Sequence, residues 1–285
     1  MYCTIGNYKI YYKIVGEGQP ILTFHGGLGY DHNYLFNTTK PFHNLGQWIF
    51  WDYPGHGRSA RSIKTSDITI DHIVRTSKKL CGELKIEKPL LFGHSYGGLI
   101  TLAYAIKYPK AYKRLLSLCP STICKPYNDD GLERKYKLLS RRLGKDLKML
   151  SSSIKNNEDL EKYARLAFHL YFYKFKPGIE KHLDGSLFSN RALIQGYIEA
   201  ERRFSDIMAQ IHEICEEMFV LYGTHDVIVD KKNVVLIQES LGKENIKSCH
   251  IIPFQKSAHF PQVEEPKKFK KILQEFISGS KQKSV

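Results

Sequence analysis

The Gly-His-Ser-Tyr-Gly-Gly run at 93–98 constrains the fold more than any other part of this sequence. An apolar stretch, Pro89 to Phe92, precedes it, and a stretch of helical character, Leu99 to Tyr108, follows it. This order predicts a buried strand, a sharp turn and a helix, with Ser95 at the turn. The small residues two positions before and two positions after the serine let the strand and the helix approach each other closely.

A serine in that position suits nucleophilic chemistry. The hydroxyl of Ser95 is a weak nucleophile, so it has to stand clear of the backbone within reach of a base and of hydrogen-bond donors. The plainer interpretation is a glycine-rich turn that carries an incidental serine. The rest of the chain therefore has to supply the base, its acidic partner and the donors.

A glycine-rich loop upstream offers one donor. The apolar run Ile21 to Phe24 predicts a buried strand, and the His-Gly-Gly-Leu-Gly segment at 25–29 ends it. We expect the backbone amides of Gly27 and Tyr96 to stabilise the negative charge that develops on an acyl carbonyl oxygen. The alternative is a glycine loop that only allows close packing. Two further loop residues are candidates for substrate contacts: His25 and Gly26.

The acidic partner is expected near the end of a later strand. Met218 to Tyr222 is a short apolar run, and Asp226 follows it in a loop. A carboxylate just beyond a strand end is well placed to orient an imidazole. Asp230 precedes a helical stretch, which favours a capping role, so it is the reserve candidate.

The predicted base is His259. It follows the strand-like run Ser248 to Phe254, in a loop from which an imidazole can reach the sheet edge as a general base. Ser95, Asp226 and His259 also occur in the serine, acid, histidine order of one hydrolase architecture, which differs from the chymotrypsin and subtilisin orders.

The sequence at this point resembles the α/β-hydrolase family over nearly its whole length. The matching pieces are the loop at 25–27, the Asp-Tyr-Pro-Gly-His-Gly-Arg-Ser segment at 52–59, the turn at Ser95, the segment 223–226 and His259. The resemblance implies a mostly parallel eight-stranded sheet with helices on both faces and a helical lid inserted after strand six. The corresponding division is a core of residues 1–120 and 205–285 and a lid of residues 121–204.

The predicted lid breaks the alternation of strand and helix patterns, which resumes at Met218. It carries basic clusters and an aromatic group, comprising Phe168, Tyr171, Phe172, Tyr173 and Phe175. As a lid it would cover Ser95 and line the acyl pocket, with Phe172 as a candidate substrate contact. The alternative is that these aromatic side chains only pack the segment onto the core.

Three interpretations of the function are open: two branches of the family and a third kind of function. The loop at 25–29 is similar to that of proline iminopeptidases, although Leu28 replaces their usual proline, whereas the segment 52–59 is more similar to esterases, monoglyceride-type lipases and carbon–carbon bond hydrolases. An aminopeptidase would need lid carboxylates for the substrate's ammonium group, and Glu199 and Glu201 are candidates, with a solvated helix face as the alternative. We favour hydrolysis of a carboxylic ester of a small or medium acyl group. A slow or non-catalytic ligand-binding protein is the third interpretation, because fold alone does not settle function.

The charge and composition of the chain limit the kinds of partner and the location that the sequence predicts. The 43 Lys and Arg residues against 29 Asp and Glu give a net charge of +14, which favours at most weak contact with anionic surfaces, and no nucleic-acid-binding motif accompanies it. The expected partner is a small-molecule acyl substrate, with no metal or organic cofactor. Six scattered cysteines, no signal-peptide pattern and no long apolar stretch predict a cytoplasmic location without a transmembrane segment.

Overall fold

A single eight-stranded sheet forms the centre of the protein. The computed structural model describes residues 1–121, 130–229, 232–241 and 248–279. The strand order is β1-β2-β4-β3-β5-β6-β7-β8; β1 and β2 pair antiparallel, as do β2 and β4, and every other pair is parallel. The strands are β1 Tyr2–Ile5, β2 Tyr8–Val15, β3 Pro20–Phe24, β4 Gln47–Trp51, β5 Leu90–His94, β6 Leu115–Leu118, β7 Met218–Gly223 and β8 Cys249–Phe254. The predicted mostly parallel eight-stranded sheet is confirmed.

Helices cover both faces of this sheet because its central strands are apolar on both sides. Along β4, Trp48 and Phe50 are buried against one layer, and Ile49 and Trp51 are buried against the other. The α-helices of the described residues are α1 Asn33–Thr39, α2 Ile70–Glu83, α3 Tyr96–Lys107, α4 Asp130–Leu143, α5 Leu147–Ser152, α6 Asn157–Ala167, α7 Asn190–Gln210, α8 Lys232–Ser240, α9 Pro261–Glu264 and α10 Pro266–Ser278.

Between β6 and β7 the described residues form helices joined by loops, without a strand. They contain α4 to α7 and three 3₁₀ helices, Phe168–Tyr171, Ile179–Leu183 and Ile211–Glu213. Helix α7 continues without a break through residue 204, so the division drawn there from the sequence falls inside a helix. The role of this segment as a lid stays a prediction.

Candidate active site

The turn between β5 and α3 holds Ser95 in a strained backbone conformation. Its φ of 57° and ψ of −122° lie in a region that residues with a side chain rarely occupy. Both flanking glycines are required, because a Cβ at Gly93 would overlap the carbonyl oxygen of Gly97, and a Cβ at Gly97 would overlap that of Phe24. The close approach of strand and helix therefore fixes the serine at the carboxyl edge of the sheet.

Asp226 and His259 meet at the same edge. The Nδ1 atom of His259 lies 2.7 Å from Oδ2 of Asp226, and both side chains are almost fully buried. The other carboxylate oxygen, Oδ1, accepts hydrogen bonds from the backbone amides of Ile228 and Val229 at 2.9 and 3.0 Å. These bonds fix the carboxylate, which in turn fixes the ring. The reserve acid, Asp230, lies outside the described residues.

Ser95 and His259 line one cavity of about 400 Å³. Gly27 and Tyr96 line it too. Gly27 adopts a left-handed φ of 66°, at which a side chain would be strained, and a Cβ there would overlap the ring of Tyr30. In the part of the chain that the structure describes, no hydrogen bond uses the Gly27 N–H.

A chain of hydrogen bonds joins the loop of His259 to the loop of Gly27. The backbone carbonyl oxygen of His259 lies 2.9 Å from Nε2 of His94, whose Nδ1 lies 2.9 Å from the Tyr34 hydroxyl. The same hydroxyl accepts a hydrogen bond from the backbone N–H of Gly26. Burial holds the pKa of His94 well below 6.5, so its ring is neutral. Sequence reasoning missed His94 and Tyr34, although His94 is the residue directly before Ser95.

Cys119 is a second neighbour that the sequence did not single out. It follows β6 with a left-handed φ of 46°, and its Sγ atom lies within 4.8 Å of both an Asp226 carboxylate oxygen and a His259 ring nitrogen. Its position at the carboxyl end of a central strand was the available signal.

Three other predicted substrate contacts, His25, Gly26 and Phe172, are not among the described residues that line the cavity. His25 is buried and stacks on Tyr53 with ring centroids 3.8 Å apart, and Phe172 is buried against Phe260 at 4.9 Å. Gly26 packs against the backbone of His94, where a Cβ would lie 2.5 Å from its carbonyl oxygen.

The two predicted lid carboxylates are also outside the cavity lining of the described residues. Glu199 is buried, its Oε2 lies 2.9 Å from Arg202, and its Oε1 accepts a hydrogen bond from Ile70 N at 3.3 Å. Glu201 is exposed on the same helix, α7. Of the aromatic group expected around the acyl pocket, Phe168 and Tyr171 line the cavity.

Fold and cavity together define an α/β hydrolase. The chain belongs to the family described as serine aminopeptidase, S33, whose model matches residues 19–259. A proline iminopeptidase of Saccharolobus solfataricus is 29% identical over 290 residues, covering 95% of this chain and 88% of the relative. A proline iminopeptidase of Thermoplasma volcanium is 25% identical over 296 residues, with 97% and 95% coverage.

The fold is also similar to that of solved esterases. An esterase from Exiguobacterium antarcticum superposes with a TM-score of 0.69 at 19% sequence identity, and the match covers 95% of this chain and 96% of the esterase. By the family match over residues 19–259, the protein is a serine hydrolase of the α/β-hydrolase family. None of its described helices is both long and apolar enough to cross a membrane.

Proposed function

We propose that the protein hydrolyses carboxylic esters of small or medium acyl groups through an acyl-enzyme on Ser95. The observation that carries this proposal is the shared cavity: a serine on a strained turn and a histidine whose Nδ1 is paired with a buried carboxylate line the same space.

The proposed reaction follows from the hydrogen bonds of His259. Its Nδ1–H donates to Asp226, so Nε2 is left with a lone pair that takes the proton of Ser95. The serine oxygen then bonds to the acyl carbon, and the amides of Gly27 and Tyr96 hold the oxyanion. When the ester C–O bond breaks, the proton passes from Nε2 to the leaving alcohol. A water molecule then attacks the acyl carbon of the acyl-enzyme in the same way. Its proton goes first to Nε2 of His259 and then to the serine oxygen, as the bond between that oxygen and the acyl carbon breaks.

The charge of the cavity favours an ester over a peptide. Among the described residues, no Asp, Glu, Lys or Arg side chain lines it. An aminopeptidase has to bind an ammonium group, and burying that charge without an anion is costly. Glu199 is already engaged by Arg202 and the backbone.

The second candidate function is release of an N-terminal residue. The family description and the relatives named proline iminopeptidase support it. We also propose that residues 121–204 act as a lid, because several side chains of this segment, among them Tyr136 and Phe168, line the cavity beside Ser95.

A paired substrate panel tests the proposal. Initial rates on p-nitrophenyl esters of increasing acyl length are compared with rates on prolyl and alanyl p-nitroanilides, for wild type and Ser95→Ala. We expect ester turnover that falls to background in Ser95→Ala. Asp226→Asn should lower kcat by about 10⁴-fold, because the imidazole loses its orienting partner.

Ser152→Ala is the control, because it removes an exposed hydroxyl from α5 that bonds only within its own helix. Preferential cleavage of the anilides would make the aminopeptidase the correct function. If neither the esters nor the anilides are cleaved, and a small molecule raises the melting temperature of the protein, a ligand-binding role would be favoured.

A further inference from the structure

Of the seven tyrosines among the described lining residues, five have no part in the proposed reaction or in the hydrogen-bond chain through His94. They come from separate parts of the chain: the loop after β3, α4, α6, a 3₁₀ helix and α7. We call them the tyrosine cluster: Tyr30, Tyr136, Tyr163, Tyr171 and Tyr197. All five contribute to the lining of the one cavity.

The cluster contains hydrogen-bond donors that its own bonds do not use. The hydroxyl oxygens of Tyr136 and Tyr163 lie 2.5 Å apart, so one donates and the accepting tyrosine keeps its own O–H. Tyr30 and Tyr171 line the same cavity, and each carries an O–H of its own. The Tyr136–Tyr163 pair therefore offers at least one proton to whatever occupies the cavity.

These donors stay uncharged. Burial, and then repulsion between the hydroxyl groups, raise the pKa values of Tyr163 and Tyr171 above their ordinary value of 10. The cluster therefore suits an oxygen acceptor. An ammonium group finds no carboxylate among the described residues of the lining, and a carboxylate finds no cation there, so burial of either charge would be costly. An ether, hydroxyl or carbonyl oxygen has no such cost.

The cluster adjoins the base. The rings of Tyr171 and His259 have centroids 5.4 Å apart, and the backbone N–H of His259 donates to the Tyr171 carbonyl oxygen at 2.9 Å. In the proposed reaction, His259 gives its proton to the leaving oxygen, so the alcohol portion of the substrate lies on this side.

We propose that the tyrosine cluster is a subsite for an uncharged, oxygen-bearing alcohol portion, so that the substrates are esters of ether or polyol alcohols. This inference rests on the ester hydrolysis proposed above.

Three butyrate esters of equal length test it: pentyl, 2-ethoxyethyl and 3-methoxypropyl. They differ only in replacing one CH₂ by an ether oxygen. The value of kcat/KM for each is measured by acid release and divided by the rate constant for hydroxide-catalysed hydrolysis, which removes the intrinsic effect of the oxygen. We expect wild type to prefer at least one ether ester about fivefold, the effect of one neutral hydrogen bond.

Two double variants remove the donors while keeping the rings: Tyr136→Phe/Tyr163→Phe and Tyr30→Phe/Tyr171→Phe. At least one should bring the preference close to one. Tyr8→Phe is the matched control and should keep the preference, because its hydroxyl bonds to Asp67. Thermal unfolding establishes that each variant is folded.

The subsite would be overturned if wild type had no preference, or if both double variants lowered turnover of all three esters equally. Absence of turnover on every ester would contradict the proposed function alone. Dissociation constants of pentyl and 2-ethoxyethyl butyrate for Ser95→Ala then decide the subsite, with tighter binding of the ether ester expected.

Discussion

At the scale of single residues, the hydrogen-bond chain through His94 sets the distance between the two loops that face Ser95. A carbonyl oxygen only accepts, so Nε2 of His94 carries the proton and Nδ1 accepts from the Tyr34 hydroxyl. The Tyr34 oxygen is then left to accept from Gly26 N. Each donor in the chain has one partner, and the loop that carries Gly27 is tied to the loop that carries His259.

Tyr34→Phe should therefore lower kcat by about tenfold, because both hydrogen bonds of the hydroxyl are lost, with a smaller change in KM. Steady-state kinetics on the preferred ester measures both quantities. Tyr8→Phe removes a hydroxyl that bonds to Asp67 and is not part of the described cavity lining, so it should leave kcat unchanged. Equal kcat in wild type and Tyr34→Phe would mean that the chain has no part in holding the loops.

The side chain of Cys119 lies beside the Asp226–His259 pair. Burial, followed by the charge of Asp226, raises the pKa of its thiol, so Sγ keeps its proton. That proton has two acceptors nearby: the Asp226 carboxylate, and the Ala258 carbonyl oxygen at 3.8 Å. The thiol is a weak donor, and its hydrogen bond goes to the carbonyl oxygen of the residue directly before His259.

Cys119→Ala should lower kcat by about three- to tenfold, because this donor is lost, whereas Cys119→Ser should keep most of the activity because a hydroxyl also donates. Cys81→Ala, in the core on α2, is the control for loss of packing and should lower stability without changing kcat. A serine variant as slow as the alanine variant would argue against the hydrogen bond.

Some residues of the proposed site have a local sequence pattern, and others do not. Ser95, Asp226 and His259 each follow a strand in a short local pattern, so their meeting at one sheet edge could be expected from topology. Partners such as Tyr34 have no local pattern, because their roles depend on side-chain directions across loops. The strand bounds were predicted closely: Ile21 to Phe24 became Pro20–Phe24, and Met218 to Tyr222 became Met218–Gly223.

At the scale of elements, Glu199 joins α7 to α2. Its buried carboxylate accepts a hydrogen bond from Ile70 N, at the positive end of α2, while Arg202 balances the charge. The sequence pattern suggested a solvated face here, because Glu199 lies among charged neighbours. Its burial results from the packing of α7 against α2, which the local sequence does not show.

Glu199→Gln should lower the free energy of unfolding by about 1–3 kcal/mol, because a charged hydrogen bond is replaced by a neutral one beside an arginine. Urea unfolding measures the change. Ester kcat/KM should remain within about twofold, as for a residue away from the site. Glu201→Gln, exposed on the same helix, is the matched control. Unchanged stability together with a raised KM for prolyl anilides would instead assign Glu199 to ammonium binding.

The members of the tyrosine cluster could not be identified from sequence patterns. Its members are spread from Tyr30 to Tyr197, and no window of the sequence contains more than two of them close together. The sequence indicated that the segment after β6 would carry substrate choice, but which aromatic side chains face the cavity depends on how α4, α6 and α7 pack. Phe172 illustrates this, because it is buried on Phe260 rather than lining the cavity.

At the scale of the whole molecule, buried histidines should make the fold sensitive to acid. Burial lowers the pKa of His25 to about 3 and that of His56 to about 4, and it holds that of His94 well below 6.5. In the unfolded chain these groups take up protons as the pH falls through about 6.5. The folded protein does not, so protons bind preferentially to the unfolded state and stability falls with falling pH.

Each such histidine contributes about 1.4 kcal/mol per pH unit below its unfolded pKa, so lowering the pH from 7 to 5 should remove about 6 kcal/mol through these three groups, a large part of the stability of an ordinary domain. Urea unfolding midpoints across this range measure the loss. His25→Phe keeps a ring to stack on Tyr53 and removes one titrating group, so it should reduce the pH dependence by about one proton. Its stability at pH 7 serves as the reference for the lost hydrogen bond to Gly26. An unfolding midpoint that is the same at pH 7 and pH 5 in wild type would contradict this, because it would require the buried rings to be protonated in the folded protein.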